Sequence, residues 1–179
     1  MGSKAQIAYH RIRDARPEDL SALARLHVET FLETHGSSPG APTYTLRENQ
    51  WRQILGSCNE EDFCVVIELA NGDLAGFARG VHYKHAEHLT FKGELNKIYI
   101  LKKFHRLGMG TGLIAAVASR FLSQGIESML LFGSADNPSN AFYEALGAEK
   151  IFANNGEFHG GYGWIDLKKL MTLIRTRLI

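Results

Sequence analysis

The chain has little of what would mark several large classes of protein. Its 179 residues include only two cysteines and four prolines, too few thiols to staple a small secreted scaffold. Cys64 falls in the apolar run "FCVVIEL", where a small buried thiol is the expected state, and with Cys58 nearby a reducing, cytoplasmic compartment fits. No apolar stretch approaches the ~20 residues that a membrane-spanning helix needs, so no membrane partner is expected. The opening "MGSKAQ" has no basic-then-apolar leader pattern and carries Gln6 where a myristoylation signal needs Ser or Thr; residues 1–4 read as a tag or an untied N-terminus. Net charge is missing too. Twenty Lys+Arg against 19 Asp+Glu leave +1, no basis for the positive field that non-specific nucleic-acid binding requires. No internal repeat or low-complexity tract is visible.

What is present is an ordinary globular composition, 45% hydrophobic and 22% charged, in a length that predicts one domain over residues 1–179, burying roughly 70% of its unfolded surface. "YHRIRDA" predicts a strand. "RPEDLSALARLHVETFLETH" predicts a helix, with Pro17 in its first turn, Glu18 and Asp19 at the positive end of its dipole, and Leu20, Leu23, Leu26 or His27, and Phe31 at helical spacing. After "GSSPGAP", Thr45 and Glu48 have the spacing of a capping box for a second, short helix. "DFCVVIEL" and "LAGFARGVHY" flank an Asn-Gly turn and predict a hairpin; "HAEHLTFKGE" predicts a longer loop and "ELNKIYIL" a further strand. Leu113, Ile114, Val117, Ala118, Phe121 and Leu122 form a broad helical stripe that Gly125 ends. "SMLLFGS" predicts a buried strand, "NPSNAFYEAL" a short helix closed by Gly147, and "EKIFA" and "GYGWIDL" two last strands separated by "NNGEFHGG". This order predicts an α/β fold around a mixed sheet.

The informative stretch is "FHRLGMGTG", residues 104–112, where a strand hands over to a helix. A helix begins with about four N–H groups that lack an intrahelical partner, and its dipole puts roughly half a positive charge there. Glycines at 108, 110 and 112 take Cβ atoms away from that end, so a diphosphate can approach, and Arg106 adds a charged fork. The spelling fits neither of two familiar phosphate loops: no Gly-Lys-Ser/Thr occurs, and Leu113 stands where a dinucleotide fingerprint needs its third glycine. A tight turn that binds nothing remains an equal reading of the glycines alone.

His105-Arg106-Leu107-Gly108-Met109-Gly110 resembles the phosphate loop of the GNAT acetyltransferase superfamily, Gln/Arg-x-x-Gly-x-Gly/Ala after the fourth strand, with His105 where Gln or Arg is usual. "ADNPSNAFYEALGAEKIF" resembles that family's Asn…Phe-Tyr-Glu-x-Leu-Gly segment on the helix after the fifth strand. "IRDARPEDLSALARLH" and "YGWIDL" are similar to the branch that acetylates small amines. The resemblance covers most of the chain and least of residues 32–60 and 82–93. It implies a GNAT-like fold, with a mostly antiparallel sheet of about seven strands flanked by helices and splayed between strands four and five. It also implies acetyl-CoA as co-substrate, with the pyrophosphate on the backbone of Arg106, Leu107, Gly108, Met109, Gly110 and Thr111, His105 as a further cofactor-binding position, and the pantetheine arm along Ile98, Tyr99 and Ile100 as a pseudo-strand.

The implied chemistry is transfer of acetyl to a primary amine of a small molecule, an amino acid or polyamine, by direct attack in a ternary complex. An alkyl amine of pKa about 10 must lose a proton before it attacks. Glu94, which alternates with Asn96, Ile98 and Ile100 on one strand face, is the candidate base. Tyr143, at the position of a family tyrosine, is the candidate donor to the leaving thiolate; full proton transfer from a pKa near 10 to one near 8.5 is uphill by ~2 kcal/mol, so a hydrogen bond suffices. Phe142 and Leu146, four apart, are expected in the core, with Tyr143 about 100° round facing the cofactor. Asn137 matches a family contact to the CoA arm and is also a cap signal. Phe31, Tyr44 and Trp51 are candidate walls of the acceptor pocket. His82, His85 and His88, three apart, read as loop residues, so no metal is expected; Gly133-Ser134-Ala135-Asp136 lacks the closing glycine of a nucleophile elbow. Dimers are common in the family, so the resemblance leaves a homodimer open without fixing the oligomeric state. Three other readings stay open: an acyl-CoA-binding regulatory module, acetylation of a protein or peptide amine, and a nucleotide-dependent oxidoreductase.

Overall fold

A computed structural model describes residues 9–37 and 39–177; residues 1–4, read above as a tag or an untied terminus, lie outside them. The elements are β1 (His10–Asp14), α1 (Leu20–His35), α2 (Tyr44–Ser57), β2 (Asp62–Leu69), β3 (Leu74–His82), β4 (Gly93–Ile100), α3 (Met109–Ser123), β5 (Met129–Phe132), α4 (Asn140–Ala145), β6 (Glu149–Phe152), β7 (Phe158–Trp164) and α5 (Leu167–Arg177). The strands form one seven-stranded sheet in the order β1-β2-β3-β4-β5-β7-β6, antiparallel except for β4 and β5. The β4–β5 ladder consists of Gly93↔Met129 and Glu94↔Leu130, while β4 runs on to Ile100. That is the short ladder expected of strands that part. No helix among the described residues is long and apolar enough to cross a membrane.

The chain divides into two compact units. The first runs through Arg79 and resumes over Lys97–Ile114. In it Arg13 bridges strand and helix: its guanidinium bonds both oxygens of Asp19, at 2.7 and 2.9 Å, and also pairs with Glu68 of β2. The Asp19 carboxylate also accepts the Arg16 N–H at 2.8 Å, which fixes the turn into α1. Leu23, Ala24, Val66, Ile67 and Phe77 fill the core beneath. The second helix starts earlier than its sequence pattern suggests. Its N-cap is Thr43, in extended backbone and accepting the Leu46 N–H at 3.2 Å, not Thr45. Glu48, expected in a capping box, accepts the Tyr44 hydroxyl at 3.0 Å instead.

The second unit comprises Gly80–Asn96 and the chain from Ala115 onward. The strand expected from Gly161 begins at Phe158. Gly160 has φ +91°, and a Cβ there would lie 2.4 Å from the Ser134 carbonyl carbon, so only glycine lets β7 pass the chain leaving β5. The final helix, α5, has no counterpart in the sequence reading. It buries Leu167, Leu170 and Ile174 at spacings of three and four, a stripe legible in "LKKLMTLIR". His82, grouped above with the loop histidines though it lies within the strand expected over residues 74–83, ends β3 and shares a 3.0 Å hydrogen bond with Gln124. His85 and His88 pack around Tyr83. Cys64 is buried and free, its thiol pKa pushed up by burial.

Candidate active site

β4 ends at Ile100, a short turn over Lys102–Phe104 follows, and α3 begins at Met109. The turn is tied back at both sides. Leu101 N–H donates to the Ala75 carbonyl at 3.0 Å, Lys102 N–H donates to the Glu33 carboxylate at 2.8 Å, and His105 Nε2 lies 2.9 Å from the Ile100 carbonyl. A carbonyl only accepts, so this His105 nitrogen carries the proton. The His105 side chain therefore anchors the loop to the end of β4. Arg106 holds φ 62° and Gly108 φ 79°, two left-handed residues two apart; the first costs about 1 kcal/mol for a residue with a Cβ, and such turns aim successive N–H groups into an anion-binding concavity. Gly112 N–H donates to the Gly108 carbonyl at 3.0 Å. That is the first bond of α3, so the N–H groups of Met109, Gly110 and Thr111 have no partner within the helix. Met109 is buried and anchors the first turn, while Arg106, Leu107 and Gly108 are exposed. Gly112 does not serve the exposed tip: a Cβ there would meet Ile12 Cδ1 of β1 at 2.9 Å. The third glycine is a packing residue.

In the same unit Ile98, Tyr99 and Ile100 are half-buried on the part of β4 past its ladder with β5. The Tyr99 ring lies 5.0 Å from that of His27 and 5.5 Å from that of Phe77. Trp51 is fully buried, with its ring edge-on to Phe77 at 4.9 Å and to His27 at 6.0 Å. Phe31 is half-buried, its ring 4.6 Å from that of His35 and under the Arg47 guanidinium at 5.8 Å. The Tyr44 hydroxyl is taken by Glu48, and the Arg25 guanidinium lies over its ring at 5.9 Å. Of the three candidate walls, Trp51 belongs to the core by packing, while Phe31 and Tyr44 line α1 and α2 partly open to solvent.

Glu94, Asn137 and Tyr143 belong to the other unit. The Glu94 carboxylate accepts from Asn96 Nδ2 at 2.7 Å, as two residues on one face of a strand can. Asn137 Oδ1 accepts the Ser139 N–H at 2.9 Å and its carbonyl accepts the Asn140 N–H at 3.0 Å, so its side chain builds the turn into α4. Tyr143 is 6% exposed, with its ring 5.9 Å from Tyr162 and edge-on to Trp164 at 6.3 Å. The expected division of α4 is reversed in part: Phe142, placed in the core by spacing, is half-buried, whereas Tyr143 and Leu146 are the buried pair. A helix of only six residues presents one inward face to β7, and the spacing of three from Tyr143 to Leu146 fits it. Beside it the Tyr162 hydroxyl donates to Glu144 at 2.8 Å, and its pKa is pushed up to about 12 by burial and by that carboxylate.

A family model described as FR47-like protein matches residues 77–156. The uncharacterized N-acetyltransferase YuaI of Bacillus subtilis strain 168 is 31% identical over 176 residues, covering 91% of this chain and 97% of that protein. The chain belongs to the GNAT superfamily of N-acetyltransferases. Solved GNAT structures share its fold. The PaiA N-acetyltransferase of Thermoplasma acidophilum, solved in complex with coenzyme A, superposes with a TM-score of 0.64 at 19% identity, over 87% of this chain and 98% of that one. An N-acetyltransferase of Staphylococcus aureus Mu50 does so with a TM-score of 0.66 at 18% identity, over 89% and 99%.

In this GNAT chain the sequence reading passed over His27 and Arg47. Both stand on predicted helices, His27 at an ambiguous stripe position and Arg47 among polar neighbours. Their environment comes from contacts distant in sequence. His27 is 2% exposed and its imidazole pKa is pushed down to about 3, by burial and then by the charges of Arg47 and Lys97. Burial also lowers the Arg47 pKa. Asn140 was likewise missed; its amide donates to the Ser134 and Ala135 carbonyls at 3.1 and 2.8 Å and holds the loop after β5.

Proposed function

We propose that this GNAT enzyme takes acetyl from acetyl-CoA and delivers it to the primary amine of a small molecule, by direct attack of the neutral amine on the thioester. The observation that carries the reading is the junction from His105 to Thr111: two left-handed residues, an exposed loop and three helix-start N–H groups free of intrahelical bonds. A diphosphate is the anion that fits several convergent N–H groups beside a guanidinium. The residues present suit the group: Gly108 and Gly110 carry no side chain to stand over the helix start, and Arg106 supplies the adjacent positive charge. The strand edge at Ile98–Ile100 offers main-chain groups suited to an amide-rich arm.

In the proposed chemistry Glu94 draws the proton from the incoming ammonium, directly or through water, and the amine lone pair then adds to the thioester carbon. The adduct's cationic nitrogen releases its second proton to water, and the tetrahedral oxyanion collapses with loss of the thiolate, which Tyr143 stabilises by donating a hydrogen bond. The products are an N-acetyl amide and free CoA, and no acyl-enzyme is needed. The acceptor is proposed to lie against α1 and α2, with Phe31, Tyr44 and Trp51 contributing to its surroundings. Thiol release from acetyl-CoA, followed across amines, amino acids and polyamines, tests this reading. Release that depends on a particular amine supports it. Tight acetyl-CoA binding with no amine-dependent release would make the chain an acyl-CoA-binding module instead.

A further inference from the structure

Three buried polar atoms in the first unit lack a hydrogen-bond partner among the described residues: Arg47 Nε, Trp51 Nε1 and His27 Nδ1. They belong to one contiguous cluster. Arg47 and Trp51 are four apart on α2 and so share a face. Trp51 meets His27 at 6.0 Å between rings, His27 meets Tyr99 at 5.0 Å, and Tyr99 and Arg47 interact electrostatically. Trp51 is 0% and His27 2% exposed. Arg47 bonds Gln50 Oε1 at 2.9 Å and lies over Phe31; among the described residues no carboxylate pairs with it. Glu48, next to it in the chain, is engaged with the Tyr44 hydroxyl and Arg52.

An unpartnered buried donor is costly, and a half-buried cation without a counter-ion more so. Two of the three atoms, on Arg47 and Trp51, can only donate, and the His27 nitrogen donates in one tautomer. Lys97 adds a second positive charge near His27. The missing piece is an acceptor of hydrogen bonds that carries negative charge. Tyr99 joins this cluster through its ring, while its backbone lies on the strand edge offered above to the pantetheine arm.

We infer that the acceptor substrate is an amine that also carries a carboxylate, an amino acid in the broad sense, its carboxylate paired with the guanidinium of Arg47, the half-buried member of this cluster. This rests on the acetyl-transfer reading and selects within it against polyamines, whose cationic ends would meet Arg47. A planar carboxylate suits the guanidinium fork.

The test compares free L-amino acids with the matching amino alcohols, which keep the amine and lose the carboxylate, and with unbranched diamines. The best amino acid should exceed its amino alcohol in kcat/KM by about ten- to a hundredfold, the range of a charge-assisted hydrogen bond. Arg47→Met should abolish that preference while leaving acetyl-CoA affinity within a few fold, which also shows that the variant folds; Arg47→Lys should retain part of it and serves if the methionine variant does not fold. An amino alcohol or diamine as best acceptor overturns the inference, as does an unchanged preference in the Arg47 variants, with acetyl transfer itself left intact. If no amine releases CoA, the acetyl-transfer reading falls separately. Calorimetric titration of amino acids against the protein holding unreactive CoA then decides the carboxylate site: saturable binding lost in Arg47→Met supports it, and no binding overturns it.

Discussion

Tyr143 is the residue on which the proposed leaving-group step depends. Its ring is packed between Tyr162 and Trp164, so Tyr143→Phe keeps the packing and removes only the hydroxyl. If that hydroxyl serves the thiolate, kcat falls by roughly 10²- to 10⁴-fold, the usual contribution of a positioned proton donor, while the calorimetric Kd for acetyl-CoA stays within a few fold. Equal turnover in the two proteins would remove Tyr143 from the mechanism. The loop and the α4 segment were legible as elements because their residue types and spacing carry the signal locally. His27 and Arg47 were not, since what distinguishes them is the set of groups that tertiary packing brings to them.

At the scale of elements, the handover from β4 to α3 was readable as an apolar run, a glycine loop and an amphipathic run. The function of each glycine was not. Gly108 turns the chain, whereas Gly112 makes room for Ile12, a long-range contact that no local pattern reports. The cap of α2 shows the same limit, because the Thr-x-x-Glu spacing at Thr45 is satisfied on paper while extended backbone at Thr43 gives that residue the cap. By contrast α5 carried a readable stripe. His105 allows the loop itself to be probed. As an anchor to the Ile100 carbonyl, an exposed bond contributing about 1 kcal/mol, its loss in His105→Ala should weaken acetyl-CoA binding by no more than about tenfold, with His105→Gln closer to wild type. A loss of several hundredfold in calorimetry would instead make His105 a direct phosphate ligand.

At the scale of the whole molecule, a buried neutral histidine links folding to pH. His27 has a folded-state pKa of about 3 against about 6.5 in an unfolded chain. Above pH ~6.5 neither state binds this proton and stability is unaffected. As pH falls from there towards about 3 the unfolded state alone takes it up, so stability declines, at a slope approaching ~1.4 kcal/mol per pH unit. Urea unfolding at pH 7 and pH 5 should therefore show wild type losing about 2 kcal/mol more than His27→Phe over that interval. Identical losses would mean that His27 titrates normally in the fold.

The account as a whole rests on an anion held at the start of α3. Gly110→Glu tests it at that spot: a glutamate in the first turn suits the helix dipole, so the fold is kept, yet its bulk and charge stand where the diphosphate is proposed to lie. Isothermal titration of acetyl-CoA into the two proteins is the direct measurement. The expected result is binding to wild type and at least a hundredfold weaker binding to Gly110→Glu, about 2.7 kcal/mol; equal affinity for both proteins would contradict the account.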